Sequence, residues 1–313
     1  MSPTTDVAAL CRVWNAHYAE LGHECLIDPL RFELCSLAKP YFRAEDLLLA
    51  EQEGRVVGFL HMGQVGNADL SDASAGEAAI AALCVEPGED ERAIGGLLLA
   101  AAEKHGADEH VRRCRFKPTL PDCAFYLGLG PGNSLIGATA AEKRVIEWVG
   151  QAGFKPVLPT TLWELELFSF QPPIDRVQIQ IRRSACLDRQ ADEPDLPWWQ
   201  ACLLGHTERT AIQLINRADE RVLCKALFWS VANELQSTAD ATLWLWPIAL
   251  TSAEQAVDQM VFLLGESCRQ LQHERTDVVR TVSTASDTVT SSILRRVGFK
   301  ACESGMVFEK LLD

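Results

Sequence analysis

The residues best suited to chemistry lie where a predicted apolar strand ends and a predicted helix begins. The apolar stretch 80–85 is followed by Glu86 and Pro87, and the helical stretch 94–104 contains Gly95 and Gly96. A helix N-terminus presents free backbone N–H groups and the positive end of the helix dipole, and glycine lets a ligand approach the backbone closely. This arrangement predicts a site for a phosphate-like anion. Close packing of the helix on a sheet through its small residues is the alternative interpretation.

The segment resembles motif A of the GNAT N-acetyltransferase superfamily. In that family a strand ending in Val-x-Pro is followed by Arg/Gln-x-x-Gly-x-Gly/Ala and by a helix with a Leu-Leu pair. Val85 and Pro87 match the strand end, Gly95 matches the last small position, and Leu98 and Leu99 match the helix. The resemblance implies a loop around the pyrophosphate of acetyl-CoA, or of another acyl-CoA, as co-substrate. The cofactor-binding residues that it implies are Leu83, Cys84, Val85, Asp90, Glu91, Arg92, Ala93, Ile94, Gly95 and Gly96.

Three positions in the turn depart from the family pattern. Asp90 stands in the Arg/Gln position, Glu91 replaces the first glycine and Ala93 replaces the middle one, while Arg92 is the only cation. Carboxylates beside a pyrophosphate are electrostatically unfavourable, although they also suit a helix N-terminus that binds no ligand. A catalytically inactive GNAT-like protein that binds CoA or another protein therefore remains the alternative.

Acyl transfer to an amine needs a base for the ammonium, a donor for the thioester oxygen and an acid for the departing thiolate. Glu77 and Glu86 flank the strand and are the candidate bases. The resemblance implies a backbone N–H donor near Leu83 or Cys84. In the family the acid is usually a tyrosine four residues before a Gly-Phe pair, and no tyrosine stands there in this chain. Tyr126, beside a glycine-rich loop, is therefore the candidate acid, and a packing tyrosine is the alternative interpretation.

The elements that would position these residues occur twice along the chain. Each half contains an early helix, a hairpin, a central strand, a helix, another strand, a helix ending in Gly-Phe-Lys and a final strand. Gly-Phe-Lys occupies residues 153–155 and 298–300. This order predicts an α/β (α+β) fold of two tandem GNAT-like domains, each a mixed, mostly antiparallel sheet flanked by helices.

The predicted domain boundary lies just before Pro172 and Pro173. Residues 1–170 form the N-terminal GNAT-like domain with the expected acyl-CoA site, and residues 171–313 form a C-terminal domain. We expect the second domain to be degenerate, because Ser252 and Gln255 form a capping box at a helix start without glycine. Alternating apolar residues predict that 177–181 is a strand of this domain.

Composition limits the class of protein and its partners. The 313 residues are 48% hydrophobic and 23% charged, as in a globular protein, and the net charge is −14. That charge argues against a nucleic acid or an anionic membrane as partner. We expect a small-molecule amine or a peptide as substrate. A monomer or a weak homodimer is expected, because duplication supplies internally the pairing that single-domain members achieve as dimers.

The chain has no run of 18 apolar residues and no signal peptide at its start, which predicts a cytoplasmic protein. Its 11 cysteines are scattered and none lies in a C-x-x-C motif. We therefore expect reduced thiols rather than a disulfide framework, and no metal site.

Overall fold

The computed structural model describes residues 7–22, 27–88, 90–122, 125–129, 135–190, 196–231, 241–248 and 254–312, and the side chains of 254 and 255 lie outside the description. The α-helices are α1 (Val7–Glu20), α2 (Pro29–Phe32), α3 (Glu91–Asp108), α4 (Lys143–Gln151), α5 (Arg176–Ser184), α6 (Trp198–Leu203), α7 (Glu254–His273) and α8 (Thr288–Val297). The strands are β1 (Leu47–Gln52), β2 (Arg55–Gly66), β3 (Ala73–Val85), β4 (Arg113–Phe116), β5 (Ala138–Thr139), β6 (Lys155–Glu166), β7 (Ala185–Gln190), β8 (Thr207–Asn216), β9 (Val222–Val231), β10 (Thr242–Leu245), β11 (Val278–Thr284) and β12 (Lys300–Leu311).

The chain forms two compact units. Unit 1 comprises Met1–Thr160, Pro197–His206 and Gly305–Asp313, and unit 2 comprises Thr161–Leu196 and Thr207–Ser304. Each unit therefore contains residues from both halves of the sequence. The predicted domains 1–170 and 171–313 are defined by the repeat along the sequence and not by contacts in the structure. They stay a prediction.

The sheet of unit 1 has the strand order β1-β2-β3-β4-β12, and β5 also pairs with β12. The pairs β1/β2, β2/β3 and β4/β12 are antiparallel and β3/β4 is parallel, so the sheet is mixed and mostly antiparallel, as predicted. Side chains alternate between the two faces of a strand, and β3 therefore contributes to two separate cores. Cys84 packs with Trp14 of α1, whereas Leu83 and Val85 pack with Trp148 of α4.

The sheet of unit 2 has the order β6-β11-β10-β9-β8-β7. The pairs β7/β8, β8/β9 and β9/β10 are antiparallel and β10/β11 is parallel. The core of unit 2 joins this sheet to the two long helices, with Leu263 of α7, Ile293 of α8 and Phe228 of β9 among its buried residues. The predicted capping box at Ser252 lies outside the described residues.

The predicted strand at 177–181 is wrong, because these residues lie in helix α5. Asp175 caps the helix by accepting a hydrogen bond from the Gln178 N–H at 2.8 Å. The apolar residues Val177 and Ile179 are 41% and 43% exposed, so their alternation does not mark one buried face. Five residues are too few for the apolar period to distinguish a strand from a short, partly exposed helix.

The predicted helix ends at the two Gly-Phe pairs are confirmed. Gly298 caps α8 in the left-handed region with φ 114°, and Gly153 follows α4 with φ 90°. Glycine adopts this conformation without steric cost, which explains its place after a helix.

The described cysteines are free thiols, and most of them are buried. Within the described residues no group of three or more His, Cys, Asp or Glu side chains is arranged to hold a metal ion. No helix in the described part of the chain is long and apolar enough to cross a membrane.

Candidate functional site

The turn between β3 and α3 presents a helix start without a side-chain cap. The first α-helical bond runs from the Ile94 N–H to the Asp90 carbonyl at 3.0 Å, so the N–H groups of Arg92 and Ala93 precede the helical ladder. The Asp90 side chain caps none of them, and instead accepts from Gln52 Nε2 at 3.4 Å. Arg92 and Ala93 are both exposed. Backbone donors at the start of an 18-residue helix are thus left without a carboxylate cap.

Two carboxylates of this turn are paired with arginines. Glu91 accepts two hydrogen bonds from Arg144 Nη1, at 2.8 and 3.0 Å. Glu86 forms ion pairs with Arg12 and with Arg55, the latter at 2.9 Å. These partners offset the negative charge that the sequence places beside the helix start.

The two glycines of α3 have different surroundings. A Cβ atom at Gly95 would lie 2.5 Å from the indole of Trp148, whereas a Cβ atom at Gly96 would meet nothing within 4 Å. Close packing therefore explains Gly95, which was the alternative interpretation of the motif. Gly96 leaves open space on the exposed side of the helix.

Substitution of the two adjacent glycines is expected to change stability in opposite directions. Gly96→Ala should stabilise the fold by about 0.5–1 kcal/mol, because alanine is the better helix former and no atom obstructs it. Gly95→Ala should destabilise it by about 1–3 kcal/mol, because the new methyl group overpacks the core at Trp148. Denaturant unfolding of both variants measures the difference, and stabilisation by Gly95→Ala would contradict the packing described here.

Strands β3 and β4 separate after a short parallel pairing. The pairing ends at Ile80 and Phe116, and the Lys117 N–H donates to the Ile80 carbonyl at 3.0 Å. Beyond this point β3 continues to Val85 without β4 as a neighbour. The separation opens one edge of β3 between residue 80 and the turn.

Alternation along the β2/β3 ladder fixes which backbone groups face this open edge. The Glu86 N–H donates to the Val57 carbonyl at 2.8 Å, and Cys84 lies opposite Phe59 in the same register. Cys84 therefore directs its backbone groups to β2, whereas Leu83 directs its groups to the edge that β4 has left. Of the two backbone donors considered from the sequence, Leu83 has the orientation toward the gap.

His17 of α1 lies at the same edge. Its Nδ1 is 3.2 Å from the Val85 carbonyl oxygen and 3.4 Å from the Val85 nitrogen. Burial lowers the pKa of His17 to about 4, and its buried Nε2 has no hydrogen-bond partner. A neutral imidazole therefore contacts the backbone of β3 at Val85, two residues beyond Leu83.

A buried ion pair lies next to the point where the strands separate. Lys117 Nζ donates to Glu142 Oε1, and the two side chains are only 2% and 6% exposed. The second oxygen of Glu142 accepts from the Thr139 N–H at 3.1 Å. Lys117 Nζ also lies 3.5 Å from the Tyr18 hydroxyl, which is hydrogen-bonded to the Cys84 thiol. A connected set of polar groups therefore reaches β3 from Glu142.

Tyr126 lies in the core of unit 1. It is fully buried, and its hydroxyl is 2.8 Å from Nδ1 of His61. Its ring packs at 5.1 Å from that of Trp14, and burial raises its pKa well above the ordinary value. The packing interpretation accounts for these contacts, and the role of acid stays a prediction. The glycine-rich residues 130–134 that follow lie outside the described residues.

The candidate bases Glu77 and Glu86 lie at opposite ends of β3, roughly 30 Å apart at the usual rise per residue. Glu77 contacts Arg113 at 3.1 Å and Arg115 at 3.7 Å. Arg115 also pairs with Asp122, whose pKa is raised by burial. Each candidate base is thus held by two arginines, and the structure does not bring the two carboxylates together.

Sequence reasoning missed Tyr18, Lys117 and Glu142. They are separated by 99 and 25 positions along the chain, and none belongs to the motif. Lys117 directly follows a strand in a left-handed conformation with φ 48°, which no local pattern predicts for lysine. The acidic Glu142 could have been noticed only as part of a capping box with Thr139.

The comparison with protein families finds a match in the N-terminal part of the chain. Residues 11–130 match the model described as "Acetyltransferase (GNAT) family". The N-terminal part of the chain is therefore similar to GNAT acetyltransferases. This matched segment includes most of α1, the open edge of β3 and the start of α3.

Solved GNAT structures share the fold over almost the whole chain. A tandem GNAT protein from the clavulanic acid biosynthesis pathway has a TM-score of 0.68 and 13% identity, over 99% of this chain and 96% of that chain. A GCN5-related N-acetyltransferase from Sphaerobacter thermophilus has a TM-score of 0.61 and 13% identity, over 98% and 93%. A GCN5-related glucosamine N-acetyltransferase region of a fungal GH3 β-N-acetylglucosaminidase has a TM-score of 0.70 and 14% identity, over 97% of this chain and 37% of that chain. The search of curated proteins finds no match.

Proposed function

We propose that unit 1 is a GNAT acyltransferase domain that binds acetyl-CoA or another acyl-CoA and transfers the acyl group to an amine. The observation that carries the proposal is the start of α3, where backbone donors lack a side-chain cap and the carboxylates of Glu86 and Glu91 are paired with arginines. The match of residues 11–130 to an acetyltransferase family model supports the same class of reaction.

The residues at the start of α3 fit a pyrophosphate. The N–H groups of Arg92 and Ala93 and the exposed guanidinium of Arg92 are donors for phosphate oxygens. Gly96 adds no side chain that would obstruct the approach. Asp90 is the described carboxylate of this turn that no arginine pairs with, and its interaction with Gln52 leaves its charge in place. Acyl-CoA bound here supplies an activated thioester.

The open edge of β3 fits the acyl end of the same ligand. We propose the Leu83 N–H as the donor to the carbonyl oxygen, which becomes negative when the amine attacks. A ligand that reaches from the start of α3 to Leu83 passes the backbone of Val85. His17 contacts that backbone and must leave it when the ligand binds.

The substrate amine must lose a proton before it attacks. Glu77 lies six residues before Leu83, about 20 Å along β3, so a water molecule takes this proton at the amine in our proposal. Glu77 is the carboxylate that we propose to receive it through further water molecules. Its side chain is 29% exposed, against 13% for Glu86, and its contacts with arginine are longer. The acceptor is an amine of a small molecule or a peptide.

One observation favours the inactive alternative. His17 and the buried pair of Lys117 and Glu142 lie beside the gap that an acyl-CoA would enter. A protein in which these contacts never open would keep the GNAT fold without turnover. Binding and turnover experiments distinguish an active acyltransferase from an inactive protein that only binds CoA or a protein partner.

A thermal-melt titration with acetyl-CoA, CoA and longer acyl-CoAs tests the proposal. A ligand at 100 times its Kd stabilises a protein by about 2.7 kcal/mol, which is readily seen as a shift of the melting temperature. A shift that depends on the acyl group would support acyl-CoA as co-substrate and lead to a screen of amines. No shift with any of these ligands would contradict the proposal and favour a protein partner.

Reversal of the charge at Arg92 is expected to weaken acyl-CoA binding about tenfold, because a carboxylate would replace a donor beside the phosphates. Arg176→Glu is the matched control, since Arg176 is an exposed arginine at the start of α5 in unit 2. Calorimetric titration with acetyl-CoA compares Arg92→Glu, the control and the wild type. Equal affinities in all three proteins would place the phosphates elsewhere.

A further inference from the structure

The side chain of Tyr18 lies between the buried ion pair of Lys117 and Glu142 and the thiol of Cys84 on β3. Its hydroxyl is hydrogen-bonded to the Cys84 thiol and lies 3.5 Å from Lys117 Nζ, which in turn donates to Glu142. Cys84 directly follows Leu83, the proposed donor to the acyl oxygen. We propose that Tyr18, supplied with a proton by Lys117, is the acid that protonates the departing thiolate. The inference rests on the proposed function of unit 1.

The positions of the tyrosines favour Tyr18 over the others. The chain has three tyrosines, at positions 18, 41 and 126. The hydroxyl of Tyr126 interacts with His61, and the ring of Tyr41 stacks on Trp199 at 4.4 Å. The Tyr18 hydroxyl has both a thiol of β3 and a cation beside it.

The surroundings of Tyr18 keep its hydroxyl protonated until a stronger base reaches it. The ring is 1% exposed, and burial raises the pKa of Tyr18 well above the ordinary value for tyrosine. The Lys117 ammonium also lies 5.6 Å from the centre of the ring. The titratable groups that face Tyr18 from the described elements are His17, Cys84, Lys117, Tyr126 and Glu142.

The proton transfers balance within the reaction. The neutral amine forms a bond to the acyl carbon, and the carbon–sulfur bond breaks with its electron pair going to sulfur. Tyr18 gives its phenolic proton to that sulfur, and Lys117 Nζ returns a proton to the phenolate oxygen. The proton that the nitrogen loses as the amide forms passes through water molecules to Glu77 and then to the solvent. When the products have left and water enters the open gap, Lys117 regains a proton, so the enzyme ends unchanged.

The ion pair with Glu142 holds Lys117 in the form that can give this proton. A buried ammonium is costly unless a carboxylate pairs with it, and Glu142 provides that partner inside unit 1. The Thr139 N–H fixes the other carboxylate oxygen at 3.1 Å. Glu142 is therefore a positioning residue in the proposal, and Tyr18 is the catalytic one.

The pKa of the thiol of bound CoA tests the proposal without an acceptor. A hydrogen bond from Tyr18 stabilises the thiolate, so the pKa of this thiol should be about one unit higher in Tyr18→Phe than in the wild type. Ultraviolet absorbance of the thiolate follows the titration with CoA as the probe. Tyr41→Phe is the matched control, and its bound CoA should titrate as in the wild type.

Turnover of acetyl-CoA with an accepted amine gives the second measurement. Tyr18→Phe should lower kcat at least tenfold with little change in KM for acetyl-CoA, because general acid catalysis contributes on the order of 10²–10⁴-fold. The alkaline limb of the pH profile of kcat should also differ between Tyr18→Phe and the wild type. Lys117→Arg keeps a cation beside Glu142 but cannot give up its proton, and it should reproduce the loss of kcat in a folded protein.

Each result separates the inference from the proposed function. If CoA does not bind at all, the proposed function fails and the role of Tyr18 fails with it. If CoA binds and its thiol has the same pKa in Tyr18→Phe and in the wild type, only the inference is overturned. A loss of kcat in Tyr126→Phe, with full activity in Tyr18→Phe, would also overturn it and restore the acid that the sequence suggested.

Discussion

Replacement of Lys117 by methionine is expected to destabilise unit 1 by about 3–5 kcal/mol, because it leaves the Glu142 carboxylate buried without its partner. Both side chains are almost completely buried, so water cannot replace the lost interaction. The double variant Lys117→Met with Glu142→Leu should recover most of this loss, since two apolar side chains of similar volume need no partner. Denaturant unfolding, with hydrogen exchange at the amides of β3 and β4 as the local probe, measures both effects.

An exposed ion pair of the same unit provides the control for this prediction. Arg43 and Glu109 are 2.7 Å apart, and their side chains are 36% and 39% exposed. Arg43→Met should therefore cost at most about 1 kcal/mol. If Lys117→Met costs no more than this control, the pair is accessible to water in solution, and the burial described for it is wrong.

The elements that the sequence predicts well are those encoded by neighbouring residues. The hairpin of β1 and β2, the end of β3 at Pro87 and the helix ends at the Gly-Phe pairs each depend on a turn or a cap within a few residues. The fold class followed from the order of these elements and is confirmed by the sheets of both units. The error at α5 arose because a five-residue alternation also fits a helix.

The candidate site was less predictable, because its contacts join residues that lie far apart in the chain. The motif locates the start of α3 and the strand before it, but it carries no information about the arginines that neutralise Glu86 and Glu91. Those arginines come from α1, β2 and α4. Tyr126 was favoured by its place beside a glycine-rich loop, whereas the hydroxyl that reaches Cys84 belongs to α1. Contacts between residues far apart in the chain determine which arginines and which tyrosine reach the site, and a single sequence does not reveal these contacts.

Unit 1 is expected to lose stability steeply as the pH falls from 6.5 toward 4. Burial lowers the pKa of His17 and of His206 to about 4 and that of His61 to about 3. In the unfolded chain each histidine takes up its proton near pH 6.5. Between these values the unfolded state binds more protons than the folded state, so the stability present above pH 6.5 is lost on acidification. A shift of this size corresponds to on the order of 3 kcal/mol for each buried histidine.

His206 offers the variant that tests this acid instability most directly. Its Nε2 donates to the Leu127 carbonyl at 2.8 Å, so Nδ1 accepts from Lys39, and glutamine can provide one donor and one acceptor without titrating near pH 6. The free energy of unfolding, measured at pH 7, 5.5 and 4.5, should therefore fall less in His206→Gln than in the wild type. His273→Gln, at the exposed end of α7 in unit 2, should leave the pH dependence unchanged. If the stability of unit 1 is the same at pH 7 and 4.5, these histidines are accessible to protons in the folded state. Their burial would then not govern its response to acid.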